Sequence, residues 1–321
     1  MDKERIKNIA RIFLKYARHF VYRVFLAAVV AGLMFVILSP LFGIVLRGFM
    51  SRVDISNPLV FMIPMNFTLD QFRTAYDLLN FRDALIYTVI VGVCITAVQV
   101  AVCALTGYGF ARFEFPGKTV LFGAVIVTIV VPTSAYYTSM YMQFRFFDFA
   151  GLYPLLTGER GFSLLGTLGP IFILTVFGMG VSSGLFIFIF RQFFRNMPKE
   201  LEESAFIDGA HTLRTFWSII MPNAKPAIIT VALFTFVWDF NGNGFKHLLS
   251  AKPDFISIRL EQLGGAAYGY IVSTLRGGED LVLMALIQNA GFVIFIIPLM
   301  VMYVIVQKSF IEGVERSGIV G

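Results

Sequence analysis

The sequence predicts an all-α membrane protein of six transmembrane helices, with a short helical hairpin between the fourth and the fifth. Of its 321 residues, 57% are hydrophobic, 36 are Phe and only 14% are charged, which exceeds the apolar content of ordinary soluble domains. A helix needs about 20 mostly apolar residues to cross a bilayer. Without a pattern of ten-residue alternating strands, the spans are expected to be helices rather than barrel strands. The apolar stretches, of which the fifth is the shortest, lie near residues 21–46, 84–111, 119–142, 169–190, 226–240 and 281–306.

The distribution of positive charge predicts the orientation in the membrane. Most Lys and Arg residues fall on the side of the N-terminus, so the positive-inside rule places both termini in the cytoplasm. We therefore divide the chain into a basic N-terminal segment (1–20), a transmembrane domain (21–307) that contains a cytoplasmic loop (196–225), and a C-terminal tail (308–321). The apolar run after residue 20 is too long for a cleaved signal peptide. The net charge of +6 is explained by orientation and anionic lipid, without nucleic acid.

Motifs for catalysis or metal binding are scarce. Cys94 and Cys103 lie within the second span, where a thiol behaves as a small apolar residue. The three histidines have no second ligand at metal-binding spacing. The run Phe-Pro-Gly-Lys-Thr at 115–119 has only the tail of a phosphate-binding loop and does not follow a strand. We predict no catalytic residue, no metal site and no cofactor on this chain.

The loop after the fourth span has the signals of a helix, a glycine turn and a second helix. Its first part, 198–207, begins with Pro and has three acids in its first turns, which suits the positive end of a helix dipole. Gly209 tolerates the positive φ that a helix C-terminus often needs. The second part, 212–221, carries apolar residues at spacings of three and four, and Pro222 is expected to end it. The pattern predicts a hairpin with one apolar edge, shaped to fit a groove in a cytoplasmic partner.

At this loop the chain resembles the membrane-spanning permease subunits of binding-protein-dependent ABC importers. Their signature is Glu-Ala-Ala, three residues, Gly, and a later Pro, and here serine takes the second position. The surrounding residues resemble the carbohydrate-uptake branch, with subunits similar to the smaller maltose permease. Segments 66–72 and 307–313 resemble, respectively, the outer segment before the second span and the tail of that branch. The loop positions are Glu202, Glu203, Ser204, Ala205, Asp208, Gly209, Ala210 and Pro222.

The resemblance implies a machine with several subunits. It implies a second permease subunit, two ATPase subunits that bind ATP and Mg²⁺, and an extracytoplasmic solute-binding protein, with no role for nucleic acid. Closure of the ATPase subunits would move the permease through the hairpin. Glu203 would face a basic residue of the ATPase, Gly209 would make the bend, and Ala205 with Ala210 would allow close approach. The alternative for the hairpin is an ordinary solvated loop, and the tail 308–321 is a second candidate contact.

Polar groups inside a membrane are costly and tend to face a pathway. Several polar residues lie within or at the ends of the predicted spans. Each could face a substrate pathway, or could instead form hydrogen bonds between helices. Tyr137 could stack on a sugar ring, although an interfacial aromatic belt predicts the same residue. The candidates for a substrate pathway are Thr96, Gln99, Tyr137, Asp239, Asn241, Gln288 and Asn289.

Two further expectations concern the outer side and the competing functions. Residues 241–280, with Gly264 and Gly265 inside, are expected to form a long mixed loop, and the resemblance implies that this loop meets the solute-binding protein. The competing functions are an ABC importer for a non-sugar solute, an ATP-independent secondary transporter and a scaffold without transport. Intramembrane charges are rare in the spans, which disfavours the secondary transporter.

Overall fold

The computed structural model describes residues 3–60, 63–149, 151–158, 160–242, 255–275 and 280–318. Over these ranges the chain is helical, and its extended pairing is limited to two isolated bridges, Met50 with Phe67 and Phe147 with Phe162. The all-α fold class is therefore confirmed for the described residues.

The helices of the first half are α1 (Lys3–Gly48), α2 (Arg52–Ser56), α3 (Asp70–Leu78), α4 (Phe81–Arg112), α5 (Lys118–Val130), a 3₁₀ turn (Thr133–Tyr136), α6 (Tyr137–Arg145) and α7 (Leu152–Thr157). Those of the second half are α8 (Gly169–Val176), α9 (Ser183–Asn196), α10 (Glu200–Ile207), α11 (Thr212–Thr215), a π turn (Phe216–Ile220), α12 (Met221–Asn223), α13 (Lys225–Phe240), α14 (Ile256–Leu275) and α15 (Leu281–Gly318). Helix α1 includes most of the basic segment 1–20, and α15 continues through most of the tail 308–321.

Three described helices are long and apolar enough to cross a membrane, over Lys15–Gly48, Phe81–Arg112 and Leu281–Lys308. A fourth span is formed if Thr212–Asn223 and Lys225–Phe240, which are bent by 81° at their junction, count as one. The three helices agree with the first, second and sixth predicted stretches, and the 16-residue helix α13 covers the fifth.

The third and fourth predicted stretches are not continuous helices. The third ends its first helix at Val130, because Val131 and Pro132 adopt extended backbone before the 3₁₀ turn. Proline disfavours helical backbone in the residue before it. The fourth breaks over 177–182, between α8 and α9. Hydropathy registers apolar content but not continuity, so the sequence did not reveal either break.

The expected loop 241–280 is also different. Residues Ile256–Leu275 form the 20-residue helix α14, and its first turn is buried at Ile256 and Ile258. The Ile256 N–H donates to the Thr88 hydroxyl at 2.9 Å, which attaches the start of α14 to α4. Gly264 and Gly265 lie inside the helix, where each costs about 1 kcal/mol relative to Ala without ending it. Residues 243–254 and 276–279 of this predicted loop lie outside the described residues.

The chain divides into two compact units. The first comprises Met1–Ala75 and Ala267–Val293, and the second comprises Tyr76–Ala266 and Ile294–Gly321.

In the first unit, a buried carboxylate organises the segment that follows α1. Asp54 accepts two hydrogen bonds from Asn66, at 2.8 Å from its backbone N–H and at 2.7 Å from its side-chain amide. Burial acts to raise the pKa of Asp54, but the hydrogen bonds from Asn66 and Ser51 outweigh it and lower that pKa. This carboxylate therefore holds residue 66 against α2 at neutral pH, and the stabilisation is lost as the pH falls through the lowered pKa.

In the second unit, α4 is the central helix and packs against α8, α9 and α13. Helices in lipid associate mainly through close packing, so small residues are placed where backbones approach. At Gly107 an added Cβ would lie 2.7 Å from Cβ of Phe190 and 3.0 Å from the backbone N of Arg191. Glycine is required here because α9 occupies the space that a methyl group would need.

Gly107→Ala is expected to lower the thermal stability of the purified protein, since overpacking of this kind costs about 1–3 kcal/mol. Gly109→Ala is the matched control on the same helix, because its added Cβ meets only the Phe113 ring at 4.0 Å. The control should match or slightly exceed wild type, as Ala favours a helix. Thermal unfolding in detergent measures both, and equal midpoints for the two variants would contradict the packing argument.

Candidate functional site

The hairpin begins with a helix whose acids lie at its positive end. Helix α10 has Glu200, Glu202 and Glu203 in its first turn, directly after Pro198. Negative side chains are favoured there by the helix dipole. An eight-residue helix is nevertheless too short to be stable alone, so its position must come from contacts with the rest of the second unit.

The turn of the hairpin is a Schellman motif centred on Gly209. Gly209 has φ of +79°, and its N–H donates to the Phe206 carbonyl at 3.1 Å. The Ala210 N–H donates to the Ala205 carbonyl at 2.9 Å, which closes the helix end. A side chain at position 209 would be strained in this conformation. The bend at Gly209 is where the sequence predicts it.

The second part of the hairpin is a helical run interrupted by a π turn. His211 accepts a hydrogen bond from the Arg214 N–H at 3.3 Å and caps α11. The π turn precedes Pro222, which stands inside α12 and does not end the helical run; the run ends at Asn223. The helical run thus continues two residues beyond the predicted 212–221, because proline is tolerated in the first turn of the new helical segment.

The apolar residues of this second part point in two directions rather than along one edge. Phe216 and Ile220 are fully buried against the core of the second unit. Leu213 and Trp217 are 57% and 51% exposed. Residues four apart share a helix face, and the two pairs therefore form an inner and an outer face.

One of the adjacent glutamates of α10 points inward. Glu202 Oε1 accepts a hydrogen bond from Nε of Arg112, at 2.6 Å, and both side chains are almost completely buried. The Arg112 Nη2 also donates to the Met197 carbonyl at 2.8 Å. A single guanidinium therefore joins the end of α4 to the turn between α9 and α10 and to α10 itself.

Tyr108, one turn before Arg112, forms an aromatic contact with each neighbouring element. Its ring centroid lies 5.8 Å from that of Phe194 on α9 and 5.0 Å from that of Phe216 in the hairpin. Its hydroxyl interacts with the Glu202 carboxylate. These edge-on and tilted contacts fix the hairpin to α4 and α9.

The opposite side of the hairpin is open to solvent. Glu203, Ser204, Asp208 and Gly209 are exposed, whereas Ala205 is buried beneath them. Ile207 is 86% exposed, a large value for an isoleucine. The outer face therefore combines acids with apolar side chains, which is the composition of a surface that another protein covers.

A second candidate site is the break between α8 and α9. Gly178 has φ of +69° and Ser182 of +57°, so the helix cannot continue through them. Gln99 on α4 donates to the Ser183 hydroxyl at 2.8 Å and to the Val181 carbonyl at 3.3 Å. Non-helical backbone at membrane depth persists where protein or a cavity surrounds it, and Gln99 satisfies part of its polar requirement.

A small cavity lies beside this break. Its polar lining includes Gln99, Thr175, Thr235 and Asp239, with Trp238 on one side. It encloses about 30 Å³, enough for about one or two waters. The Asp239 side chain is buried, and its Oδ2 would lie 3.6 Å from a Cβ at Gly92 of α4. The arrangement can hold polar groups at membrane depth, but in this conformation it cannot admit a sugar.

The structure brings together only some of the predicted pathway residues. Gln99 and Asp239 line the cavity. The Thr96 hydroxyl is enclosed, with no hydrogen-bond partner among the described residues. The other four lie elsewhere. Asn241 is exposed at the end of α13, and Tyr137 on α6 packs beside a cluster of Met140, Phe144 and Leu174. Gln288 and Asn289 are half-buried on α15 in the first unit.

Arg112 and Tyr108 are the site residues that the sequence analysis missed. Arg112 lies 90 residues from Glu202 in the chain, so no local pattern connects them. The available signal was a basic residue at the end of an apolar helix and a doubled Glu in the loop. Positive charge at that place is also explained by the helix dipole and membrane orientation.

The fold and the hairpin define a polytopic helical membrane protein with a structured loop between its apolar helices. Residues 103–312 match the family described as binding-protein-dependent transport system inner membrane component. The chain belongs to this family, as the resemblance of its loop predicted.

Several relatives of known name cover most of the chain. It is 24% identical over 273 residues to the maltodextrin transport system permease protein MdxG of Bacillus subtilis, covering 84% of this chain and 88% of the relative. It is 26% identical over 261 residues to the trehalose transport system permease protein SugB of Mycobacterium tuberculosis, covering 81% and 85%. The diacetylchitobiose uptake system permease protein NgcG of Streptomyces coelicolor is 26% identical over 285 residues, covering 88% and 84%.

A solved structure has the same fold. It is a bacterial ABC transporter involved in the import of the acidic polysaccharide alginate, and one of its chains aligns with a TM-score of 0.68. The alignment covers 90% of this chain and 96% of that chain, with 19% identity.

Gln99→Leu is expected to loosen the break between α8 and α9, because it leaves the Ser183 hydroxyl and the Val181 carbonyl without their donor. The cost of such unmade hydrogen bonds is about 1–3 kcal/mol. Hydrogen–deuterium exchange across 177–183 should therefore become faster. Thr106→Val on the same helix is the control, since within the described part of the chain the Thr106 hydroxyl donates only to the Val102 carbonyl of its own helix. Unchanged exchange in Gln99→Leu would contradict the role given to Gln99.

Proposed function

We propose that this chain is the membrane-embedded permease subunit of an ATP-driven importer for a carbohydrate of more than one sugar unit. It would form half of the translocation pathway and couple to ATPase subunits through the loop 202–222. The observation that carries the proposal is the hairpin, which is anchored inward by Glu202 and leaves an acidic and apolar face exposed. The names of the relatives, which refer to maltodextrin, trehalose and diacetylchitobiose, support a sugar as the substrate.

The partners follow from this role. A second permease subunit would complete the pathway, two ATPase subunits would bind ATP and Mg²⁺ and hydrolyse the ATP, and an extracytoplasmic solute-binding protein would deliver the sugar. This chain would carry no cofactor and catalyse no reaction. With both termini in the cytoplasm of a cell with an inner membrane, the hairpin would lie on the side where ATP is available.

Six membrane crossings are compatible with the helices if broken helices count as single crossings. The third would be α5 with α6, the fourth α8 with α9, and the fifth α13 with the hairpin at its inner end. Helices α1, α4 and α15 would be the remaining three. A crossing made of two half-helices is common where transporters bind or pass a substrate.

The exposed face of the hairpin is suited to a groove on the ATPase. Ile207, Leu213 and Trp217 supply apolar contact, and Glu203 supplies a charge for a basic partner. Gly209, Asp208 and Ser204 keep the tip narrow. The C-terminal end of α15, beyond residue 308, is a second candidate contact for the ATPase.

The break at 177–182 and its cavity are the candidate pathway. Gln99 and Asp239 offer groups that could bond sugar hydroxyls, and Trp238 offers a ring. Since the cavity holds only about one or two waters, a sugar would pass only in another conformation, in which the helices around the break separate. Thr96, Tyr137, Asn241, Gln288 and Asn289 remain candidates for other parts of the pathway.

Glu203→Lys is expected to abolish sugar uptake by the reconstituted importer while leaving the fold intact. Glu203 is exposed, so the change should alter the stability of this chain by less than about 0.5 kcal/mol. Truncating one partner of a buried interfacial ion pair costs about 2–5 kcal/mol, and reversing the charge is more severe. Uptake into proteoliposomes and ATP hydrolysis, measured together, report the effect.

Glu200→Lys is the control, because it makes the same charge change at an exposed acid of the same helix. It should retain most of the uptake. Normal uptake by Glu203→Lys would contradict the proposed role of the hairpin.

A further inference from the structure

Arg112 forms a buried ion pair with Glu202 and a second hydrogen bond in another direction. Its side chain is only 6% exposed and its partner Glu202 only 11%. Charges are not buried in this way unless they are paired and hydrogen-bonded. Arg112 meets that requirement with two bonds in different directions, one to the Glu202 carboxylate and one to the Met197 carbonyl.

The two bonds use the planar shape of the guanidinium. A lysine at this position would supply a single compact charge, whereas arginine presents several donors in a fixed arrangement. Through these two hydrogen bonds, Arg112, the last residue of α4, is attached both to the turn before α10 and to the first turn of α10. A displacement of the hairpin would therefore pull on the end of α4.

The neighbouring glutamates have separate surroundings. Glu202 faces the core of the second unit, while Glu203 faces solvent. Successive residues on a helix are about 100° apart, so one short helix can present one acid to each side. The outer acid is available to a partner protein, and the inner acid connects the helix to the membrane-spanning part.

Helix α4 leads from this ion pair to the break between α8 and α9. It is continuous from Phe81 to Arg112, and Gln99, which bonds the backbone of the break, is on the same helix. At about 1.5 Å per residue, Arg112 and Gln99 are separated by about 20 Å along the axis. Because the backbone hydrogen bonds of a continuous helix link each turn to the next, we expect a shift at one end of α4 to be carried towards the other.

We propose that Arg112 and Glu202 form the joint through which movement of the hairpin reaches α4, and through α4 the break at 177–182. Arg112 is thus a positioning residue for transport and does not itself contact the substrate or the ATPase. Tyr108 supports the joint through its contacts with Phe194, Phe216 and Glu202. This inference rests on the proposed function of the hairpin.

The test compares Arg112→Met with the double variant Arg112→Met/Glu202→Met in the complete importer. The single change leaves a buried carboxylate unpaired and should lower both thermal stability and uptake. The double change removes both charges and fills similar volume with apolar atoms, which often restores stability. The proposal predicts that its midpoint of thermal unfolding returns to near wild type, with the ATPase still bound. The sugar transported per ATP hydrolysed should remain lower by about tenfold, which is within the usual range of coupling between two sites.

Recovery of wild-type transport per ATP in the stable double variant would overturn the proposal, because the pair would then be structural only. If the double variant does not assemble, Arg112→Lys decides the question. It retains the charge but not the two-directional bonding, so transport per ATP must fall while the complex remains assembled. A wild-type ratio in Arg112→Lys would also overturn the proposal.

Glu203→Lys separates this inference from the proposed function. If Glu203→Lys abolishes uptake while the double variant transports normally, only the inference about Arg112 and Glu202 is contradicted. Normal uptake by Glu203→Lys would instead contradict the proposed role of the hairpin, and with it the inference about Arg112 and Glu202, which depends on that role.

Discussion

The buried ion pair between Arg112 and Glu202 is the interaction that connects the hairpin to α4, the helix that both candidate sites share. Helix α10 has eight residues, too few to be stable alone in water, and its exposed face packs against none of the residues that the structure describes. Its place is fixed by the buried pair, by Ala205, and by Phe216 and Ile220 inserted into the second unit. Because the pair is buried, losing one partner is far more costly than losing both.

The membrane imposes the second constraint. Every backbone polar group at membrane depth needs a partner, so an interrupted helix persists only where something replaces its lost hydrogen bonds. At the break between α8 and α9, Gln99 supplies donors to Val181 and Ser183, and glycine permits the positive φ at 178. The same helix, α4, therefore holds the hairpin at one end and supports the break further along. The two candidate sites share one rigid element.

The sequence predicted what local chemistry determines. Apolar content predicted helices in a membrane, and Pro198 with three acids followed by Gly209 predicted the helix and its turn. The resemblance carried by that loop is confirmed by the family match. Hydropathy did not reveal the helix breaks at 131–132 and 177–182, because most of the residues there are themselves apolar. The helix α14 escaped because Gly264 and Gly265 resemble loop residues, although burial of its first turn overrides that preference. The pairing of Arg112 with Glu202 needs the tertiary fold. The six-crossing count and the role of the hairpin stay predictions.

The most direct measurement is affinity purification of the tagged chain from native membranes in mild detergent, followed by mass spectrometry and an assay of ATP hydrolysis. We expect a second permease and an ATPase in stoichiometric amounts, and ATP hydrolysis by the purified complex. Recovery of the chain alone, or only as an oligomer of itself without ATP hydrolysis, would contradict it.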